Sequence, residues 1–187
     1  KLLGKLNWNQ LGDHNRLNAL AAIAAANHAG VSPQTSIAAL EKFQGVKRRM
    51  EIKGVVNGIT IYDDFAHHPT AIATTIAGLR HRVGNARILA VLEPRSNTMK
   101  QGVWKDDLAA SLRDAEAVFC YTANLGWDAA GALRSLGDKV KTSDDIDALI
   151  KMIKQAVKTG DQVLIMSNGG FAGIHGKLLA KLKTTTS

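Results

Sequence analysis

The sequence predicts an α/β fold in which a mostly parallel sheet lies between two layers of helices. Three observations carry that expectation. Short uninterrupted apolar runs occur at Ile88–Leu92, Ala117–Tyr121 and 163–166, as in strands covered on both faces. Segments with helical spacing alternate with those runs. An Asn57-Gly58 pair, set between β-branched and aromatic residues, is the signature of a two-residue hairpin turn. Together they describe a three-layer αβα, Rossmann-like domain of about six strands, with one antiparallel edge strand.

In chain order, residues 15–28 are rich in alanine, and Gly30 stands where a helix would end, so a helix with a narrow, tightly packing face is expected. Ser32 and Pro33 supply an N-cap and a first-turn proline for a second helix, with Ile37, Leu40 and Phe43 inward, ending near Gly45. The hairpin follows, over 52–56 and 59–62. Helices are then expected at 69–82, 103–112, 129–135 and from Ser143 to Gly160, the last carrying Ile146, Leu149, Ile150, Ile153 and Val157 on one face. A short strand around Lys139 and Val140 precedes it, and a final helix spans 171–182. These elements divide into a helical segment, 1–45, and a sheet domain, 46–187.

Composition narrows the function classes. The 187 residues contain 24 Lys and Arg against 16 Asp and Glu, a formal charge of +8, which favours an anionic partner. Only 5% of residues are aromatic and the basic residues are scattered, which argues against nucleic acid as a partner. Cys120 is the single cysteine, so an internal disulfide or a thiolate metal cage is excluded, and no metal site is expected. No apolar run suits a membrane span and no apolar segment follows Lys1, so a cytoplasmic protein without a membrane partner is expected.

Ligands of open α/β sheets bind beyond the carboxyl ends of the strands, so the loops there hold the candidate residues. The first contains Asp63, Asp64, Phe65, Ala66, His67, His68 and Pro69. Adjacent histidines without a further ligand at suitable spacing make a poor metal site. A second loop, from Glu93, offers Arg95 and Lys100, cations that turn formation does not require, together with Asn97. A third, 122–127, carries Asn124 and Trp127 and points to ordinary packing. A fourth offers Ser167 and Asn168 before Gly169-Gly170-Phe171-Ala172-Gly173, where the amides of a helix start could hold phosphate or carboxylate. That loop is neither a P-loop nor GxGxxG, which leaves a dinucleotide-binding oxidoreductase domain as the more distant alternative. Upstream, His14, Asn15 and Asn18 open the alanine helix, and Lys47, Arg48 and Arg49 form a charge run that reads as solvated surface.

Gly12-Asp13-His14-Asn15 with Asn18, then Arg49-Met50-Glu51, then the Asp63–Pro69 loop resemble, in order and spacing, the cytoplasmic Mur ligases of bacterial peptidoglycan synthesis. Loops 93–100 and 167–175 are most similar to the member that joins the murein tripeptide L-Ala-γ-D-Glu-meso-diaminopimelate to UDP-N-acetylmuramate in recycling. The member that adds a single L-alanine is the alternative. The resemblance implies that 1–45 is the tail of a central ATPase domain and that 46–187 is the C-terminal substrate domain. It implies ATP and Mg2+ as cofactors, both held mainly by the central domain, and an inactive fragment without it. By the same resemblance His14, Asn15, Asn18, Arg49 and Asp64 would contact ATP, Asp64 through the ribose. Arg49 and His68 would be catalytic. His67, His68, Arg95, Asn97, Lys100, Ser167 and Asn168 would line the substrate.

Overall fold

The computed structural model describes residues 2–8, 10, 13–43 and 45–184, with the backbone alone for Asp13 and His14. The chain forms two compact units, Lys1–Lys47 and Arg48–Ser187.

The first unit contains α1 (Asp13–His28) and α2 (Pro33–Glu41). Gly30, at φ +88°, takes the left-handed conformation that ends a helix, and the Ser32 hydroxyl accepts the Thr35 amide at 3.1 Å to open the next. In this unit taken alone Ala19 is buried, while Leu17 and Leu20 are exposed. Phe43, expected inward, points outward as well, because α2 stops at Glu41 and the Lys42 amide closes onto the Ala39 and Leu40 carbonyls.

The second unit is built on a six-stranded sheet of order β1-β2-β6-β3-β4-β5, with β1 (Glu51–Val56), β2 (Ile59–Asp64), β3 (Ile88–Leu92), β4 (Ala117–Tyr121), β5 (Val140–Ser143) and β6 (Gln162–Met166). Only the edge pair β1 and β2 is antiparallel. Asn57 and Gly58 both have positive φ, at 52° and 75°, so their hairpin turn is of the type whose twist matches the strands.

Side chains alternate across the sheet with period two, and two cores result. Ile88, Ala90, Leu92, Val118, Cys120, Leu164 and Met166 face α3 (Pro69–Val83), α5 (Lys105–Ser111) and α6 (Ala129–Leu133). Leu89, Val91, Phe119, Val163 and Ile165 face α7 (Ile146–Ala156) and α8 (Ile174–Lys183). Each fully buried aliphatic side chain contributes about 1.5–3 kcal/mol, so the unit has a core on both faces of its sheet.

This topology sets the site. β6 and β3 are neighbours, yet the chain leaves β3 for α5 on one face and leaves β6 for α8 on the other. Their loops part at the carboxyl edge and open a crevice.

Two predicted helices begin differently from the pattern. The helix expected at 103–112 is α5, which starts at Lys105, and a single turn not expected from the sequence, α4 (Asn97–Lys100), precedes it across Gly102 at φ +74°. The last helix starts at Ile174 rather than Phe171, because Phe171, Ala172 and Gly173 all adopt positive φ, at 44°, 48° and 70°. That left-handed passage drives the Phe171 ring into the core, where it is fully buried, 5.8 Å from the Tyr121 ring. Phe171→Ala should therefore lower the unfolding free energy by about 3–5 kcal/mol, as removal of a buried ring does. Urea unfolding monitored by circular dichroism measures this, and a loss below about 1 kcal/mol would show that the ring does not support the core.

Candidate functional site

The site grows from the end of β2, where Asp63 and Asp64 are both buried. A buried carboxylate needs partners in place of water. Asp64 takes the Met50 amide on Oδ2 at 2.9 Å, and the Ala66 amide and Thr75 hydroxyl on Oδ1 at 2.8 and 3.3 Å. Asp63 accepts the Arg48 Nε–H at 3.2 Å, while His175 Nε2 lies 3.3 Å from its other oxygen, off the hydrogen-bonding direction. Arg48 also donates through Nη2 to the Ser167 carbonyl at 2.5 Å, and its guanidinium stands 5.3 Å from the Phe65 ring centroid. The charge run is therefore divided: Arg48 is tied inward, and Arg49, exposed, reaches from the same turn to 6.0 Å from the Phe65 centroid.

His67 and His68 follow, with ring centroids 5.4 Å apart and planes nearly perpendicular. His67 Nδ1 lies 2.9 Å from the Phe65 carbonyl, so that nitrogen carries the proton. His68 caps α3, accepting the Ala71 amide on Nδ1 at 3.4 Å; its proton is accordingly on Nε2, and the ring is exposed.

At the ends of β3 and β6 the two loops are joined. Ser167, fully buried, donates its hydroxyl to Glu93 Oε2 at 2.6 Å and accepts the Gly169 amide at 2.9 Å. Arg95 lies across the backbone of Gly169, where a β-carbon would stand 2.5 Å from its Nη1 and 2.6 Å from its Cδ. A side chain at 169 would displace the Arg95 guanidinium from that position. Asn168 is half-buried, and its Oδ1 is buried without a hydrogen-bond partner.

Beside this junction a cavity of about 230 Å3 is lined by Glu93, Pro94, Arg95, Lys100, Tyr121, Ala123 and Asn124. Its lining includes two cations, Arg95 and Lys100, and one carboxyl group, Glu93. Asn97 stands exposed in the first turn of α4. The Trp127 indole N–H holds that turn through the Met99 carbonyl at 2.6 Å, so Trp127 packs as the sequence suggested, while Tyr121 and Asn124 join the cavity unforeseen.

On α1, in the first unit, Asn15 is half-buried and Asn18 exposed, and the His14 side chain lies outside the described residues. Among the described residues no group of three His, Cys, Asp or Glu could hold a metal ion, and no helix is long and apolar enough to cross a membrane. Burial pushes the Cys120 thiol up to about 12, which removes it as a nucleophile.

Burial lowers the pKa of His175 below its ordinary 6.5; the Asp63 charge opposes the shift, and Lys53 and Arg48 add to it. The unfolded chain therefore binds this proton more readily than the folded one. Stability should fall as pH drops below 6.5 and level off beneath the folded value. His175→Gln should flatten that decline, measurable as urea midpoints across a pH series. An unchanged slope would mean that His175 is not held neutral by its surroundings.

The geometry now has a family context. Residues 48–169 match the family model described as Mur ligase, glutamate ligase domain. The chain is 51% identical over 179 residues to the UDP-N-acetylmuramate–L-alanyl-γ-D-glutamyl-meso-2,6-diaminoheptandioate ligase of Escherichia coli K12, covering 95% of this chain and 39% of that protein. The crystal structure of a murein peptide ligase from Psychrobacter arcticus 273-4 superposes with a TM-score of 0.76 at 46% identity, over 97% of this chain and 39% of the other. A UDP-N-acetylmuramate–L-alanine ligase of Mycobacterium sp. JLS is 32% identical over 182 residues, 92% of this chain and 37% of its own length. The chain thus spans about two fifths of the curated relatives it matches. With a domain match that begins at Arg48 and runs through the Asp63–Pro69, Glu93 and Ser167 loops, the chain belongs to the Mur ligase family.

Proposed function

We propose that this chain is the C-terminal part of an ATP-dependent ligase that joins L-alanyl-γ-D-glutamyl-meso-diaminopimelate to UDP-N-acetylmuramate in the bacterial cytoplasm, during peptidoglycan recycling. The observation that carries this reading is the cavity at the ends of β3 and β4, which Arg95, Lys100 and Glu93 all line. A peptide that ends in carboxylates and an ammonium group matches such a set of charges, and a lone L-alanine offers one carboxylate only. The greater identity to the tripeptide-joining relative, 51% against 32%, supports the same choice.

In the proposed reaction the muramoyl carboxylate takes the γ-phosphoryl group of ATP, and ADP leaves. The peptide amine then attacks the acyl phosphate, and phosphate departs as the amide forms. Such transfer depends mostly on positioning and on neutralising charge. Arg49, exposed and free of the inward ties that hold Arg48, is suited to face the phosphates. His68, with its Nε2 proton outward, is suited to orient the amine-bearing substrate. Asn15 and Asn18, with His14, would serve the nucleotide from the first unit. Mg2+ and most of the ATP contacts are assigned in this reading to the central ATPase domain, as the family resemblance implies.

Two roles shift with the geometry. Asp64 has both oxygens engaged by the Met50 and Ala66 amides, which supports holding the Arg49 turn over the ribose contact that the resemblance implies. Ser167 is buried between Glu93 and Gly169, which supports a joining role and leaves Arg95, Asn97, Lys100, Asn168 and His67 as the peptide-facing groups.

Steady-state kinetics of the full-length ligase, varying UDP-N-acetylmuramate, ATP and tripeptide separately, tests the proposal. Tripeptide should be consumed with release of ADP and phosphate, and equal turnover with L-alanine would favour the alternative. Arg95→Ala removes one partner of a desolvated carboxylate, about 2–5 kcal/mol, and should raise the tripeptide constant roughly 30-fold or more. The ATP constant should stay in place, and Arg95→Lys should recover part of the loss, since an ammonium cannot reproduce the bidentate fork. A shift in the ATP constant alone would refute this division of the surface.

A further inference from the structure

Residues 48–50 form a turn that is costly to hold. Arg48 and Met50 both lie in the left-handed region, at φ 58° and 52°, where side chains with a β-carbon are disfavoured. Such conformations persist where the surroundings over-determine them, and they cluster at working sites. Beside the Met50 amide, which Asp64 holds, four contacts converge on Arg48. Its amide donates to Glu51 Oε2 at 3.0 Å and its carbonyl accepts the Phe65 amide at 2.8 Å. Its Nε–H reaches Asp63, itself only 7% exposed, and its Nη2 reaches the Ser167 carbonyl.

We propose that Arg48 is a positioning residue that locks the turn carrying Arg49 to the loop after β6, so that the nucleotide-facing and peptide-facing sides of the site are held as one body. The inference rests on the function proposed above. The connection is short: Arg48 holds the Ser167 backbone, the Ser167 hydroxyl holds Glu93 and the Gly169 amide, and Arg95 lies on Gly169. A solvated charge run would not make these contacts, and no other side chain among the described residues hydrogen-bonds to both the end of β2 and the loop after β6. The planar guanidinium is what permits it, since Nε and Nη2 serve at once one acceptor on β2 and one in the loop after β6. A lysine ammonium can meet either acceptor but cannot reproduce that fork.

The experiment uses the full-length ligase with Arg48→Lys, Arg49→Ala and the double variant. Arg48→Lys keeps the charge near Asp63 and should lower kcat on the order of 10-fold while leaving the constants for ATP and tripeptide nearly unchanged, because placement rather than ground-state binding is lost. In the Arg49→Ala background the same change should cost less than about 2-fold, because a residue that acts through Arg49 has nothing left to place. Hydrogen exchange at the Met50, Phe65 and Gly169 amides should quicken together in Arg48→Lys. Should that variant misfold, Asp63→Asn, which weakens the same anchor, takes its place in both measurements. Unchanged exchange would refute the lock. Quickened exchange with unchanged kcat, or losses that multiply in the double variant, would refute its link to Arg49. Unsubstituted enzyme that fails to ligate the tripeptide would instead refute the function on which the inference rests.

Discussion

Two adjacent carboxyl groups buried at the end of one strand impose most of what surrounds them. Strand geometry sends Asp63 and Asp64 to opposite sides of the sheet, so no single partner can serve both. An unpartnered buried carboxylate would cost more than any one loop contributes. The chain meets the demand on one side with the Met50 and Ala66 amides, and on the other with Arg48 and the flank of His175. The bent turn at 48–50, the hold on α3 through the Thr75 hydroxyl and the seat of the loop after β6 all follow from supplying those partners.

The doubly covered sheet explains why these contacts accumulate at one edge. Parallel strands deliver all their carboxyl ends to the same side, and the divergence of the chain after β6 and β3 leaves a gap there that helices do not cover. Loops lining such a gap must satisfy one another's polar groups, as Ser167 and Glu93 do. Arg95 and Lys100, which line the cavity, and Arg49, on the turn before β1, are exposed and available to ligands. The scaffold thus separates groups committed to holding the loops from groups presented to solvent.

Much of this was legible in the sequence. The bounds of β3 and β4 follow from their apolar runs, and the hairpin follows from Asn57-Gly58. The misses have physical causes. A four-residue turn such as α4 is too short to show periodicity, and Phe171 and Ala172 ordinarily avoid the conformation they adopt here. The Phe43 ring was expected inside because its spacing continues the apolar face of α2, but the backbone stops short of it. At the site, the candidate loops were found from their position after strands, whereas Arg48 was read as surface. A basic run looks the same whether or not an acid lies across from it, and Asp63 meets Arg48 only once the hairpin has folded. Asn124 reads as ordinary packing from its loop, and Tyr121 carries no linear signature, because the cavity wall they join is assembled from separate segments.

The left-handed passage at Phe171, Ala172 and Gly173 has a geometric consequence for the helix it precedes. A right-handed helix begun at Phe171 would advance about 100° per residue, so three residues would carry the chain through roughly 300° before Ile174. Spending those residues in the opposite hand resets the angular phase of α8. The reset helix aims Ile174, Leu178 and Leu182 at the sheet and brings His175, one step further round, against Asp63. A backbone detour before the helix thereby acts as a dial, setting which side chain of α8 meets the carboxyl edge without any change in the helix itself.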